Sequence, residues 1–315
     1  MYLSFYNFTV KPFEISTDPK FLWIGEKHKE ALAVLKYGIL DNKGFILLTG
    51  DAGTGKTTLV NALRFFLHEN IKVATIYDPA LDLLDFYNLI ANAFGIDQQF
   101  NNKAAFLIYF KNFLLYNHDE GKKNLLIIDE AQKIKPGLLE EIRMLSNIEL
   151  DHFKLLNIFF VGQSEFNNIL LQPENIALRQ RITVNYHIEP LNEKETREYI
   201  AKRISIAGAS QNMFRKSAMR EIFRFSNGNP RLINIICDRA LLSGYTENCR
   251  MISSKLILEC ADEFNINKFT APSYQTTKTK KFDRKKQVSL ITLSIILILT
   301  ACTVGYLFFE KLILN

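Results

Sequence analysis

Short apolar runs alternate with longer amphipathic stretches through the first 190 residues of the chain. The apolar runs have the length of strands that are buried on both faces, and the stretches between them have helical spacing. This alternation predicts a parallel sheet with helices on both faces. The predicted strands are 45–49, 73–77, 125–129 and 156–162, and the predicted helices are about 56–68, 84–94, 103–116 and 136–147.

The pattern changes after Pro190, where the strand-type runs stop and only helical stretches follow. Asn192 and Glu195 have the spacing of a capping box that begins a helix, and Gly208 ends it. We therefore expect an α/β domain over residues 1–189 and a small helical domain over residues 190–266. The further predicted helices are 216–226, a helix from the cap Asn229 and Pro230 to about 243, and 253–263.

The end of the sequence combines a basic linker with an apolar segment. Residues 267–287 are rich in Ser, Thr, Pro and Lys, and the stretch 278–286 carries +5 of the chain's net charge of +6. Residues 288–309 contain no charge, and as a helix they would extend about 33 Å, enough to span the hydrocarbon core of a membrane. A buried core helix is the alternative. The positive-inside rule predicts that the preceding residues are cytoplasmic and that the tail 310–315 is outside.

The strand predicted at 45–49 leads into a phosphate-binding loop. The loop consists of Gly50, Asp51, Ala52, Gly53, Thr54, Gly55, Lys56 and Thr57, and it matches GxxxxGK[ST] between a strand and a helix. Its N–H groups and the helix N-terminus, where Thr58 follows, are expected to bind phosphate oxygens. Lys56 is expected to reach the β- and γ-phosphates of ATP, and the Thr57 hydroxyl to bind Mg²⁺.

Two acidic residues end the strand predicted at 125–129. Asp129 stands at the carboxyl end, where ligands bind in open α/β sheets, and is expected to hold Mg²⁺ through water. Glu130 is expected to polarise the attacking water as general base. An acidic pair alone is also common in solvated turns, but combined with the phosphate loop it predicts ATP hydrolysis.

Three further polar positions are candidates for the same chemistry. Gln163 follows the strand 156–162 and could orient the water or contact the γ-phosphate, with a simple turn residue as the alternative. Arg181, or its neighbour Arg179, could stabilise the transferred phosphoryl group in an adjacent subunit, with surface salt bridging as the alternative. Arg231 stands in the first turn of a lid helix, where a cation opposes the helix dipole, so a contact with phosphate is the better explanation.

These five elements, in this order, resemble Walker A, Walker B, sensor 1, arginine finger and sensor 2 of the AAA+ ATPases. More narrowly, the chain resembles the family of general secretion pathway protein A, which has relatives in pilus and exopolysaccharide biogenesis. The resemblance implies that residues 12–25 lie near the adenine, although Pro12 and Phe13 could equally belong to a core. It covers about residues 1–245 and rests on the segments 6–8, 11–13, 18–22, 129–132, 161–163, 178–182 and 229–234.

The resemblance implies an oligomeric ATPase on the cytoplasmic side of the bacterial inner membrane, held there by one transmembrane helix and acting on an envelope secretion or assembly partner. The secretion ATPases carry a large periplasmic region, whereas about six residues follow the apolar segment here, so peptidoglycan binding is not expected. One alternative is a DNA-transaction ATPase of the transposition type. The nearly neutral charge outside the linker argues against it and against nucleic acid as a partner. The other is a nucleotide-gated scaffold without enzymatic activity.

Overall fold

The structure is a computed structural model that describes residues 2–14, 21–151, 153–209 and 213–263. The predicted linker, the apolar segment 288–309 and the tail lie outside these residues. Among the helices that are described, none has the length and apolar character needed to cross a membrane.

The residues that the structure describes contain seven strands in two sheets. They are β1 (Phe45–Gly50), β2 (Ile71–Ile76), β3 (Lys123–Ile128), β4 (Glu149–Leu150), β5 (Phe153–Lys154), β6 (Leu156–Gly162) and β7 (Ile182–Ile188). The main sheet is parallel, with the order β2-β3-β6-β1-β7, while β4 and β5 form an antiparallel hairpin. Because β6 lies between β1 and β3, the carboxyl ends of these three strands meet at one edge of the sheet.

The sequence prediction missed the short hairpin strands β4 and β5 and one strand of the main sheet, β7, which lies at its edge. It pairs only with β1, and its side chains alternate between buried and exposed positions instead of forming a continuous apolar run. The four predicted strands correspond to β1, β2, β3 and β6. Of these, β1 and β6 are buried along their whole length, as expected for strands covered on both faces.

The described residues among the first 180 include eight α-helices, and two apolar clusters cover the faces of the main sheet. Phe45 and Leu47 of β1 face the cluster on one side, and Ile46 and Leu48 face the cluster on the other side. The helices are α1 (Tyr2–Phe5), α2 (Glu26–Leu40), α3 (Lys56–Phe66), α4 (Leu83–Ala93), α5 (Lys103–Asp119), α6 (Pro136–Leu145), α7 (Glu165–Leu170) and α8 (Ile176–Arg179).

The lid consists of α9 (Glu193–Ile206), α10 (Lys216–Ser226), α11 (Pro230–Thr246) and α12 (Ser254–Glu263). The predicted capping box is present at the start of α9, where the Asn192 side chain accepts from the Glu195 N–H and the Glu195 side chain accepts from the Asn192 N–H. These helices share a third apolar cluster.

The N-terminal segment packs into the lid cluster, although the sequence prediction placed it in the α/β domain. Its buried aromatic side chains lie among residues of α9 to α12, and the Phe13 ring meets the Phe214 ring edge-on at 6.0 Å. Phe13 is therefore a core residue. The sequence had left open whether it belongs to a core or lies near the adenine. The aromatic residues that join the lid core are Tyr2, Tyr6, Phe8 and Phe13.

Candidate nucleotide-binding site

The loop between β1 and α3 has the backbone geometry that its glycines allow. Gly53 (φ +81°) and Gly55 (φ +94°) adopt left-handed conformations, and Gly55 immediately precedes α3. These conformations are costly for residues with a Cβ atom. The loop and the first turn of α3 line one wall of a cleft of about 440 Å³. Six of the predicted phosphate-binding residues from this stretch line the cleft: Ala52, Gly53, Gly55, Lys56, Thr57 and Thr58. The other three, Gly50, Asp51 and Thr54, are not among its lining residues.

Lys56 is buried inside the loop, only 8% exposed. Its Nζ donates to the carbonyl oxygens of Gly50 at 2.8 Å and Asp51 at 2.9 Å. Burial lowers the pKa of Lys56, and the nearby carboxylates of Glu130 and Asp129 oppose this shift. A buried ammonium group bordering the cleft is suited to bind an anion there.

Thr57 and Asp129 meet across the site, as the predicted Mg²⁺ ligands should. The Thr57 hydroxyl donates to Asp129 Oδ2 at 3.3 Å. Burial raises the pKa of Asp129, while hydrogen bonds from the Glu130 N–H and the Thr57 hydroxyl lower it. A hydroxyl and a carboxylate at the edge of the cleft are hard oxygen ligands of the kind that Mg²⁺ prefers beside phosphate groups.

Glu130 is held in place by two glutamine amides. Gln132 Nε2 donates to Glu130 Oε2 at 2.6 Å, and Gln163 Nε2 approaches the same oxygen at 3.5 Å. Gln132 Oε1 accepts from the Gln163 N–H at 2.9 Å, so one amide joins the ends of β3 and β6. Glu130 also has a positive φ of 51°, which is uncommon for a residue with a side chain and is often found at functional sites.

Sequence reasoning gave no role to Gln132. The segment 129–132 contributed to the family resemblance, but the spacing of Gln132 alone gives no sign that its side chain turns back to Glu130. Only the short helical turn at Ala131–Lys133 brings the two side chains together.

The lid closes the opposite wall of the cleft. Arg231 is exposed to the cleft near the start of α11, and Tyr199, Arg203 and Asn234 also line this side. A second, smaller pocket adjoins the loop at Gly55 and Thr58. It is also lined by Phe21, Leu22, Trp23, Ile24, His28, Leu191, Tyr199, Arg203 and Pro230. Of the described residues in the segment 12–25, which the resemblance associates with adenine, those from Phe21 to Ile24 border this pocket.

Residues 39–170 match a family model described as an AAA domain. This stretch contains the phosphate loop, both acidic residues and Gln163. Residues 39–170 are therefore an AAA domain.

The chain is also 40% identical over 255 residues to general secretion pathway protein A of Aeromonas hydrophila. This similarity covers 80% of the chain and confirms the resemblance inferred from the motifs. The chain spans 46% of that relative, about half of its length.

Solved structures show the same fold as this AAA domain and its lid. Drosophila ORC bound to DNA aligns with a TM-score of 0.62 at 14% identity, over 84% of this chain and 66% of that one. CDC6P from Pyrobaculum aerophilum aligns with a TM-score of 0.57 at 16% identity, over 78% and 70%. The Aeropyrum pernix ORC2 protein aligns with a TM-score of 0.56 at 16% identity, over 80% of this chain and 71% of that one. The expected P-loop AAA+ fold is confirmed.

The two candidate finger arginines, Arg179 and Arg181, lie near the amino ends of the sheet strands, whereas the cleft lies at the carboxyl ends. β7 begins at Ile182, opposite Phe45, and ends at Ile188, opposite Gly50. Arg181 is therefore roughly 17–20 Å from the phosphate loop of its own chain. Its Nη1 donates to Asn147 Oδ1 at 2.6 Å, whereas the Arg179 side chain is exposed.

Asp129→Asn is expected to raise the thermal unfolding midpoint of the nucleotide-free protein at neutral pH. Burial raises the pKa of Asp129, so the folded state favours the protonated carboxyl group. The stability that this protonation contributes is present below the ordinary pKa of Asp, about 3.9, and is lost as the pH rises through the folded-state pKa. At neutral pH the buried charge is therefore a cost that the neutral Asn avoids. The advantage of Asn should therefore shrink in acid. Asp97→Asn, at an exposed position, is the control. A lower midpoint for Asp129→Asn at neutral pH would contradict this account.

Proposed function

We propose that the protein hydrolyses ATP at the cleft between the AAA domain and its lid. The carrying observation is the convergence of Lys56, Thr57, Asp129 and Glu130 at one edge of the sheet. A protein that only bound the nucleotide would have no need of a positioned carboxylate at Glu130.

Binding is attributed to the loop and its flanking residues. The N–H groups of the loop and the N-terminus of α3 would hold the phosphates, with Lys56 donating to the β- and γ-phosphates. Thr57 directly, and Asp129 through water, would hold the Mg²⁺ that accompanies ATP, and this ion would neutralise charge on the phosphates. The smaller pocket next to Thr58 is the proposed position of the adenine ring of ATP.

Turnover is attributed to in-line attack of water on the γ-phosphorus. Glu130 would accept a proton from this water as its oxygen bonds to phosphorus and the bond from phosphorus to the bridging oxygen of ADP breaks. Gln132 and Gln163 would keep the Glu130 carboxylate oriented toward the water. Arg231 would place a positive charge from the lid on the γ-phosphate, and an arginine finger from a neighbouring copy would complete the site.

The proposed biological role follows from the relative in Aeromonas hydrophila, whose name places it in general secretion. We propose that ATP hydrolysis by this chain assembles or remodels an envelope complex. The segment 288–309 would anchor an oligomer of the chain in the inner membrane, with the ATPase on the cytoplasmic side, because the basic stretch 278–286 precedes it.

Phosphate release by the full-length chain, reconstituted in vesicles that contain anionic lipid, tests the enzymatic proposal. We expect ATP- and Mg²⁺-dependent release that is absent from a Glu130→Gln sample prepared in the same way. Equal release from both samples would show that the release does not depend on Glu130 as a base. ATP binding without release at any protein concentration or lipid composition would favour the nucleotide-gated scaffold.

The membrane anchor is tested by placing charge in the centre of the apolar segment. Ile295→Lys combined with Ile298→Lys is expected to release the chain from membranes, because each lysine at the centre of a span costs about 2.5–3.5 kcal/mol of insertion free energy. The measurement is the fraction of chain left in the membrane pellet after an alkaline carbonate wash. Leucine at both positions is the matched control. Retention of the lysine variant in the pellet would argue against a spanning helix.

A further inference from the structure

The carbonyl groups of four successive residues in the phosphate loop all accept hydrogen bonds, the first two from Lys56 and Thr54 of the loop itself and the last two from the lid. Lys56 Nζ donates to the oxygens of Gly50 and Asp51, so the loop's own lysine holds its first half. The second half is held by the lid. Asn229 Nδ2 donates to the Ala52 oxygen at 2.7 Å, and the Arg231 N–H approaches the Gly53 oxygen at 3.3 Å.

Asn229 has two tasks in this contact. Its Oδ1 caps α11 by accepting from the N–H groups of Arg231 at 3.0 Å and Leu232 at 3.3 Å. Its Nδ2 is left to bind the loop. Since any of several small polar residues can cap a helix, the cap alone does not require an amide at this position.

The loop and the lid are in direct contact at Gly53. A Cβ atom on Gly53 would lie 2.7 Å from Asn229 Oδ1 and 2.8 Å from the Arg231 Cβ, both closer than real Cβ contacts. Position 53 therefore favours glycine for two reasons: the lid needs the space that a Cβ atom would fill, and the backbone is left-handed.

A hydrogen bond that fixes the orientation of a carbonyl group also fixes the orientation of the N–H group of the next residue. The Ala52 carbonyl and the Gly53 N–H belong to one planar peptide group and point in opposite directions. Asn229 therefore sets the direction of the Gly53 N–H, one of the donors expected to bind phosphate.

We propose that Asn229 is a positioning residue that couples the lid to the phosphate loop, so that the loop binds phosphate tightly only while the lid is in contact with it. The proposal rests on nucleotide binding at the loop. Because such coupling is reciprocal, a bound nucleotide must also stabilise the start of α11.

Three substitutions in the full-length chain separate the two tasks of Asn229. Asn229→Ser and Asn229→Asp keep a capping oxygen but lose the amide Nδ2 that donates to Ala52, and Asn229→Ala loses both. Serine is needed beside aspartate because a carboxylate would also repel phosphate. Asn192→Ser, at the cap of α9, is the matched control because the Asn192 cap acts on Glu195 and not on the loop.

The readouts are ADP affinity and the thermal unfolding midpoint. We expect Asn229→Ser and Asn229→Asp to bind ADP up to about tenfold more weakly at an unchanged midpoint, the upper end of the effect expected when one hydrogen bond is lost. Asn229→Ala should lose affinity and also unfold at a lower temperature, and Asn192→Ser should match the unsubstituted chain in both.

Amide hydrogen exchange tests the coupling itself. In the unsubstituted chain ADP should slow exchange in both the loop and the first turns of α11, whereas in Asn229→Ser it should slow exchange in the loop alone. Wild-type ADP affinity in the Ser and Asp variants, or a loss confined to Asp, would overturn the proposal while leaving the proposed function intact. Failure of the unsubstituted chain to bind ADP would overturn both.

Discussion

Glu130→Gln is expected to retain ATP binding and to lose turnover by a factor of about 10²–10⁴, the usual contribution of a positioned general base. Glutamine has the same length and can still accept from Gln132 Nε2, so the hydrogen bond that holds residue 130 can be kept. What it cannot do is accept the proton of the attacking water. Parallel measurements of ATP affinity and steady-state phosphate release separate the two effects.

Glu174→Gln provides the control for this experiment, because Glu174 is an exposed carboxylate outside the cleft. It should leave both affinity and turnover unchanged. If Glu130→Gln turned over ATP at the rate of the unsubstituted protein, Glu130 would not be the base. If it lost ATP binding as well, the substitution would have disturbed the loop and not only the chemistry.

Arg181→Ala is expected to reduce turnover by about 10³–10⁵, the effect of removing an arginine finger, with little change in ATP affinity. The physical reason is position. Arg181 lies at the amino end of β7, too far along the strand to reach the cleft of its own chain, so its effect on chemistry must be exerted in a neighbouring copy. Arg179→Ala is the comparison, since Arg179 is the more exposed of the two.

Mixing two inactive variants tests whether the finger acts between copies. An Arg181→Ala chain has an intact cleft, and a Glu130→Gln chain has an intact finger. A mixture should therefore regain turnover that neither variant shows alone. Loss of turnover in Arg179→Ala but not in Arg181→Ala would move the finger to Arg179, and an inactive mixture would argue against action between copies.

The nucleotide site was predictable because its residues follow one another closely in sequence. Lys56 and Thr57 follow a strand within a single motif, and Asp129 ends a fully apolar run. Parallel strands place their carboxyl ends together, so two local patterns were enough to expect the contact between Thr57 and Asp129.

The contacts that sequence reasoning missed depend on side-chain direction or on distant pairing. Gln132 reaches Glu130 only through a tight turn, and Asn229 meets Ala52 across 177 residues. β7 was missed because an edge strand needs only one apolar face, and its alternation is a weaker signal than the continuous run of a central strand. The early aromatic residues were assigned to the domain nearest in sequence, although their partners lie some 200 residues further on.

The position of those aromatic residues has a consequence for how the lid can move. Residues 2–13 belong to the lid core, the sheet follows them in sequence, and the remaining lid helices begin at α9, so two covalent connections join the lid to the sheet domain. A body attached at one point can swing in any direction, whereas a body attached at two points turns mainly about the line between them. We therefore expect the lid to open and close along one defined arc.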